Sequence, residues 1–347
     1  MKRRALIAIA ISLALLAIFV TLVGWQDVLE SIERATLSIY AIAFVGSTLT
    51  LALRAGVWSR VLAVVDTPRP YWLVASVFAT ATFVKYVTPY GQVTSGVGNA
   101  AIINRYTDAA YEESLAAVVS ADVLTYLPYY TFGLVGAVVI VGQRGLPFDP
   151  APFVGPSLLT VAVLVVALVA VWRFSSAIRA GFVRAVLLLR SVVARISPRL
   201  GRRLTRENVE DRLEGFAVTL ELVSTHRRPM LVALVYSHLG WLGLATALYA
   251  SAHAVGATLP ITVVFLVVAL SKLGFVVPTP GGIGGVEATL AAAIYLFAPG
   301  DLGMTVATAT GIAILYRFAT YWFTIAVGGT TSLALTIKDP LPPSDRA

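Results

Sequence analysis

The chain has 347 residues, of which 58% are hydrophobic and only 13% are charged, and its mean hydropathy is +0.84. Several apolar runs reach the roughly 20 residues that span a bilayer as a helix, so an ordinary soluble domain is excluded. The formal net charge of +8 is concentrated in one segment of a hydrophobic chain, which argues against a nucleic-acid-binding protein. There is no cysteine, so disulfides and thiolate ligands are excluded as well.

The first half of the chain predicts two helices before any interruption. The apolar run 5–24 follows Lys2-Arg3-Arg4 and is too long for a signal-peptide core, so we interpret it as a retained first helix with a cytoplasmic N-terminus. Residues 25–35 carry three acids and are expected to form a short external loop. Helix two is predicted over about 38–64, and the basic residues beyond it place that end in the cytoplasm.

The next region predicts a hairpin rather than a crossing. Two apolar runs within 71–103 are each short for a full span and are separated by Pro89 and its neighbouring glycines. We therefore expect a re-entrant hairpin that enters from the cytoplasmic side and returns to it. Helix four is predicted over 115–141, with an external loop at 142–150.

The second half repeats this order from the opposite side. Helix five is predicted over 153–172, and the segment 173–229 then carries 12 arginines against 5 acids, which places it in the cytoplasm. A helical stripe of apolar residues within this segment suggests an amphipathic helix on anionic headgroups, or equally a basic linker that docks on the helix bundle. The tail 336–347 is polar and is expected to be cytoplasmic and disordered.

The remaining apolar runs complete the second half. Helix six is predicted over 230–254, and a second hairpin, now entering from outside, is formed by the runs 261–277 and 286–298. A last helix is predicted over 303–333. Between the two runs of the second hairpin lies the glycine-rich motif, which we define as residues 277–287.

The first half contains a helix interruption similar to the glycine-rich motif. Its two prolines and four glycines forbid a regular helix, and broken backbone survives in lipid only where protein or a wet cavity surrounds it. Aligning Pro89 with Pro280 places Gly91 on Gly282, an offset of 191 residues. Paired interruptions in corresponding halves are typical of transporters built from inverted repeats.

The fold predicted from these patterns is an all-α polytopic membrane protein with an inverted-repeat, transporter-like architecture. It consists of six full transmembrane helices and two re-entrant helical hairpins. The boundaries are a single membrane domain over 1–335, with halves of about 5–150 and 151–335, the basic cytoplasmic loop 173–229, and the tail 336–347.

The glycine-rich motif resembles the hallmark of the lysylphosphatidylglycerol synthase transmembrane-region family, also called flippase-like membrane proteins. Weaker similarities support it, and they extend the resemblance over roughly residues 5–335: Arg54 with Trp58 in helix two, Thr88-Pro89 with Gly91 in the first hairpin, and Tyr316-Arg317 with Tyr321-Trp322 in the last helix. Where family members usually carry Glu-Arg in helix four, this chain has Asp122-Val123.

The resemblance implies a membrane module that moves polar lipids between leaflets. Aminoacylating members add a large soluble transferase domain, which this sequence does not contain. We therefore expect that the protein has no synthase activity, is not an enzyme and needs no cofactor. The hairpin residues that carry the resemblance, or that form the two interruptions, are Thr88, Pro89, Gly91, Pro278, Pro280, Gly281, Gly282, Gly284 and Gly285. Their turns are candidate anion sites, because backbone N–H groups and helix N-termini point there.

Ionisable residues inside predicted spans are candidate substrate-binding residues, because each must face protein or water. Glu287 is predicted either to contact substrate or protons or to cap a helix, and Arg317 either to bind a phosphate or to pair with Glu287 or Asp122. Three further cations are predicted either to attract an anion or to reach the interface, and Asp122 is a candidate partner for a basic residue. These six residues are Glu287, Arg317, Arg54, Lys272, Lys85 and Asp122.

The function predicted from the sequence is a lipid translocase for an anionic phospholipid or a polyprenyl-phosphate lipid, without its own ATPase. Alternatives are a secondary transporter of a soluble anionic or sugar-linked solute, a membrane enzyme, and a scaffold for a separately encoded lipid-modifying or glycosylation enzyme. The expected setting is a prokaryotic plasma membrane with both termini cytoplasmic, with membrane lipids as partners, no nucleic acid and no metal. A homo-oligomer is a further expectation.

Overall fold

The computed structural model describes residues 17, 20–65, 68–88, 91–144, 181, 183–184, 186–188, 205–300 and 303–338. Every regular element within these ranges is helical. The predicted helix five (153–172), Pro89, and most of the first run and of the basic loop therefore lie outside the described residues. Of the tail predicted to be disordered over 336–347, residues 336–338 belong to a helix and the rest lie outside the described residues.

Three short or medium helices and two long ones make up the first part of the described chain. They are α1 (Trp25–Glu33), α2 (Leu37–Val65), α3 (Tyr71–Val87), α4 (Gly91–Tyr106) and α5 (Tyr111–Arg144). Helices α2 and α5 match the predictions for helices two and four to within four residues at each end. The interruption of the first hairpin is confirmed, since α3 ends at Val87 and α4 begins at Gly91.

The second part follows the predicted order as well. Its elements are α6 (Arg206–Thr225), α7 (Arg227–Ala254), α8 (Ile261–Leu270) with a 3-10 extension (Ser271–Val276), a 3-10 turn (Pro280–Gly282), α9 (Gly285–Phe297), α10 (Val306–Arg317), a π-helical turn (Phe318–Trp322) and α11 (Phe323–Lys338). The predicted last helix is thus one apolar stretch that contains a π-helical turn, an element often found at functional sites.

The expectation of an external loop over 25–35 is wrong, because most of it forms α1. Its acids lie on one face, and Val28 on the other face is buried. Gly311 of α10 provides the room: a Cβ added there would lie 3.2 Å from the Cβ of Ser31. The loop was predicted from the number of acidic residues, but the segment is helical because the apolar face of this short amphipathic helix packs against the protein.

Five stretches in the described part of the chain are long and apolar enough to cross a membrane. They are Leu37–Val65, Tyr111–Gln143, Arg227–Ala254, Pro280–Phe297 and Val306–Ile337. Tyr71–Val87 and Ile261–Val276 are shorter apolar helices, which is the length pattern predicted for the hairpins. The prediction of six spans plus two re-entrant hairpins in an inverted repeat stays a prediction, and Pro280–Phe297 itself becomes regular helix only at Gly285.

The chain divides into two compact units, one formed by Met1–Gly145 with Leu222–Ala347 and the other by Leu146–Glu221. In the first unit, α2 packs along α7, α5 along α8, α3 along α11 and α9 along α10. Glycines permit the closest crossings: a Cβ at Gly46 of α2 would lie 2.5 Å from the carbonyl oxygen of Gly243 of α7. In the second unit, the described residues between 181 and 188 are helical, and Val186 of the predicted apolar stripe is partly buried.

Candidate functional site

The glycine-rich motif folds back on itself and is fixed by one buried ion pair. Nε of Arg317 donates to Oε1 of Glu287 at 2.8 Å, and both side chains are almost fully buried. Nη2 of Arg317 donates to the carbonyl oxygen of Gly281, also at 2.8 Å. The arginine at the end of α10 therefore fastens the 3-10 turn and the start of α9 together.

Glu287 completes this arrangement at the first turn of α9. Its Oε2 accepts a hydrogen bond of 2.8 Å from the backbone N–H of Gly284, whose φ of 85° is unfavourable for residues with a Cβ. The carboxylate thus satisfies one of the unpaired donors at a helix N-terminus while it neutralises Arg317. The interpretations of Glu287 as a capping residue and of Arg317 as its ion-pair partner describe the geometry; their substrate-binding role stays a prediction.

Tyr321, in the π-helical turn, lies against the same motif. Its ring lies 4.1 Å from Cζ of Arg317, and a Cβ added at Gly281 would fall 2.0 Å from its Cε2. The hydroxyl donates to the backbone carbonyl of Tyr86 at 3.4 Å, and the two tyrosine rings lie 5.2 Å apart. Because Tyr86 belongs to α3, the last predicted span connects the second hairpin to the first.

The two interruptions also contact each other. Both α3 and α4, the arms of the first hairpin, contact the turn Pro280–Gly282. Thr88 ends α3 in an extended conformation, and its hydroxyl donates to the carbonyl oxygen of Val84 at 2.7 Å. A Cβ at Gly91 would lie 1.9 Å from the carbonyl oxygen of Lys85, so glycine is required for this sharp turn.

The other residues of the motif are described by their burial and packing rather than by hydrogen bonds. Pro278 is exposed between the two 3-10 segments, whereas Pro280 and Gly282 are buried in the turn. Gly285 packs against the 3-10 extension of α8, since a Cβ there would lie 2.3 Å from the carbonyl oxygen of Gly274. The sequence prediction that no regular helix crosses these prolines and glycines is therefore confirmed for the described members.

A polar cavity of about 60 Å³ lies beside Arg317. Its lining comes from nine helical elements and includes hydroxyl groups at helical spacing, Ser47 and Thr50 of α2 and Thr320 and Thr324 after α10. A second cavity of about 50 Å³ adjoins it and shares Arg54, Thr82 and Lys272 among its lining residues, so we treat the two as one polar cavity. The remaining predicted residues Lys85 and Asp122 line the second part.

Arg54, Lys85 and Lys272 all face this cavity and contact tyrosines rather than carboxylates. Nη2 of Arg54 donates to the hydroxyl of Tyr129 at 2.9 Å, and Nζ of Lys85 donates to the hydroxyl of Tyr126 at 3.3 Å. Nζ of Lys272 lies 4.3 Å from the centroid of the Tyr129 ring, a cation–π contact. We call these three residues the cationic cluster.

The cationic cluster is not neutralised by its surroundings. Among the described residues, no carboxylate lies within ion-pair distance of 4.0 Å of any of its three members. Asp122 is the one acid in the described lining, so the three cations exceed it by two charges. Arg317 does not add to this excess, because Glu287 balances it.

Such an arrangement is suited to a bound anion. A cation taken out of water is costly unless a partner of opposite charge approaches it, and a guanidinium beside two ammonium groups matches the oxygens of a phosphate. The hydroxyls of this wall donate to backbone carbonyls, so they offer a ligand oxygens that accept hydrogen bonds. The predicted residues are thus divided: Arg54, Lys85, Lys272 and Asp122 surround the cavity, while Arg317 lines it as the partner of Glu287, which lies behind it.

Sequence analysis missed Tyr129, which contacts two members of the cationic cluster. Its position was readable, because Asp122, Tyr126 and Tyr129 are spaced i, i+4, i+7 and so share one face of α5. Phe78, Thr82 and Lys85 show the same spacing on α3.

Residues 5–328 match the family described as Lysylphosphatidylglycerol synthase TM region. The comparison with curated proteins found no match. The matched region includes the glycine-rich motif, the cationic cluster and the ion pair between Glu287 and Arg317.

Proposed function

This chain belongs to the lysylphosphatidylglycerol synthase TM region family and is a multi-pass integral membrane protein, and from this premise we propose that it is a lipid translocase. The substrate is a lipid with an anionic headgroup, a phospholipid or a polyprenyl-phosphate lipid, which crosses between leaflets while its headgroup occupies the polar cavity. The observation that carries this proposal is the cationic cluster, whose excess positive charge faces a cavity enclosed by apolar helices.

Each element of the site has a role in this proposal. Arg54 and Lys272 bind the phosphate, Lys85 adds positive potential, and Asp122 holds the cluster together when no ligand is bound. The pair of Glu287 and Arg317 keeps the two interruptions in contact, so that the headgroup can cross the membrane beside the interrupted helices. The sequence holds no nucleotide-binding loop, since the glycines at 91–98 are not followed by Gly-Lys-Ser/Thr, and movement is therefore downhill or coupled to an ion.

The proposal includes the topology. Six full spans and two re-entrant hairpins form an inverted repeat, with both termini in the cytoplasm of a prokaryote and the basic loop at the same side. The contacts of α3 and α4 with Pro280–Gly282 support an arrangement in which the two hairpins meet around one site. Reaction with an impermeant thiol reagent in cells, on single cysteines placed at the exposed positions Glu33 and Arg228, tests it, because the topology places these residues on opposite sides.

Leaflet exchange in proteoliposomes tests the transport activity. Fluorescent phosphatidylglycerol and fluorescent phosphatidylcholine are compared, because they share tails and differ in net headgroup charge. We expect faster exchange of the anionic lipid, and we expect Lys272→Gln to lower it by about tenfold, equivalent to about 1.4 kcal/mol. Arg228→Gln, which removes an exposed cation outside the cavity, is the matched control.

Two results would change the assignment. If folded protein exchanges neither lipid faster than empty vesicles, but takes up a soluble organophosphate, the cavity belongs to a soluble-anion transporter. If it does neither, the module serves as the membrane partner of a separate lipid-modifying enzyme.

A further inference from the structure

A second, apolar space adjoins the polar cavity. It is a groove of about 620 Å³ between α5 and the end of α8, about ten times the volume of the first part of the polar cavity. We call it the lateral groove. Its walls are formed by Leu134 and Ala137 of α5 and by Leu266 and Leu273 of α8 and its extension, together with neighbouring apolar residues.

Helix packing explains why the groove opens at this place. At Gly133 and Gly136 the two helices approach closely, since a Cβ at Gly136 would lie 2.5 Å from the carbonyl oxygen of Thr262. At Leu270 the α-helix gives way to the 3-10 extension, which has a different radius and rise. Side chains that would continue the contact therefore separate, and the groove lies between them.

The rim of the groove is apolar and exposed. The exposed fractions are 73% for Tyr130, 66% for Leu134, 62% for Leu273 and 83% for Val276. In an integral membrane protein such side chains face lipid rather than water, so no free energy opposes their exposure. The groove therefore opens sideways towards hydrocarbon.

The groove and the polar cavity meet at four shared residues. Tyr126, Tyr129, Lys272 and Phe275 line both spaces. Nζ of Lys272 lies 4.3 Å from the Tyr129 ring and 5.0 Å from the Phe275 ring, so the ammonium is held at the junction by two aromatic faces. The polar cavity is thus continuous with the lateral groove, and the ammonium group of Lys272 lies where the two meet.

We propose that the lateral groove binds an acyl or prenyl chain of the lipid whose headgroup occupies the polar cavity, with Lys272 at the boundary between the two. This inference rests on the proposed function and specifies its substrate: the ligand is amphiphilic, with its anionic group within reach of Lys272 and its chain between α5 and α8. A soluble phosphate would use the cavity and leave the groove empty. A second protein helix would use the groove and leave the cavity empty.

The absence of cysteine from the sequence gives a direct test. Single-cysteine variants are made at Leu134, which lines the groove, and at the adjacent Val135, which is also exposed but does not line it. Leu273→Cys probes the opposite wall. The rate at which each thiol reacts with a maleimide is measured in detergent with phosphatidylglycerol, with glycerol 3-phosphate, or with neither.

We expect phosphatidylglycerol to slow the reaction of Leu134→Cys and Leu273→Cys by about tenfold and to leave Val135→Cys within about twofold. Glycerol 3-phosphate has no chain and should protect none of them. Adding Lys272→Gln should abolish the protection, because the chain is held there by its headgroup. Equal protection at Leu134→Cys and Val135→Cys, or protection that survives Lys272→Gln, would overturn the proposal.

A second measurement separates this inference from the proposed function. The three variants are reacted with a bulky pyrene maleimide and leaflet exchange is measured before and after. Exchange that is present before the reaction and lost only for the groove variants supports the inference. Exchange that persists after reaction refutes the groove while translocation stands, and protection without any exchange refutes translocation while the groove stands. A change of oligomeric mass without change in exchange or protection would show that the groove seats another copy instead.

Discussion

Two arginines of one cavity wall differ in what balances their charge. Arg317 is buried, donates two of its five N–H groups to Glu287 and the carbonyl of Gly281, and has its charge balanced by the carboxylate. Arg54 donates to a tyrosine and faces the cavity without a carboxylate within ion-pair distance in the described part of the chain. A charge at membrane depth therefore indicates function only when its partner is absent, because a paired charge is already explained by structure.

The largest effect is expected when the arginine of the buried ion pair is removed. Arg317→Ala leaves Glu287 buried without its cation, which costs about 3–5 kcal/mol. We expect a large fall in the thermal unfolding temperature in detergent. The double variant Glu287→Leu with Arg317→Met removes both charges and should recover much of that loss. Unfolding temperatures that match the wild type for Arg317→Ala would mean that the pair does not support the fold.

Gly281→Ala tests the same wall through its backbone. Gly281 has a φ of 60°, and a Cβ there would fall 2.0 Å from the Tyr321 ring. The backbone penalty of about 1–2 kcal/mol and a further 1–3 kcal/mol from overpacking should lower stability, as measured by thermal unfolding. Gly98→Ala is the control, because α4 leaves open space there, and it should be neutral or slightly stabilising. Equal losses in both variants would contradict the close approach.

Arg54→Gln tests the unpaired side. Loss of a hydrogen bond to a charged group corresponds to about 1.5–3 kcal/mol, so we expect exchange of the anionic lipid to fall about tenfold or more while the unfolding temperature changes little. Arg54→Lys keeps the charge without the planar fork and should be intermediate. A fall in stability as large as that of Arg317→Ala, with no selective loss of exchange, would remove the distinction between the two arginines.

Tyr129→Phe is expected to have the smallest effect. The hydroxyl that accepts from Arg54 is lost, whereas the ring that faces Lys272 remains. We expect the loss of this uncharged acceptor to weaken binding of the headgroup by about 0.5–1.5 kcal/mol, which corresponds to a two- to tenfold decrease in exchange. Tyr295→Phe, on an exposed face of α9 away from the cavity and the groove, serves as the reference and should leave exchange unchanged. An equal decrease in both variants would show that the hydroxyl of Tyr129 does not orient Arg54.

The sequence predicted the helices and both interruptions because these depend on local chemistry. Apolar runs near bilayer length define α2, α5 and α7, and proline with glycine prevents a helix across 277–284. Residues 25–35 were predicted wrongly for the opposite reason, since α1 is stabilised by contacts of its apolar face with a distant part of the chain, where Gly311 leaves room for it. Tyr129 was missed because its importance depends on Arg54 and Lys272, which lie on other elements.

By itself, the sequence determined the class of protein, the family resemblance and the set of ionisable residues that the membrane would have to accommodate. Only the tertiary structure decided which of those residues are paired. Glu287 and Arg317 are 30 positions apart, and Arg54 and Tyr129 are 75 apart, so no local spacing relates them. The division between a neutral wall and a cationic cavity arises from how the helices pack, because electrostatic partners are chosen by distance in space and not along the chain.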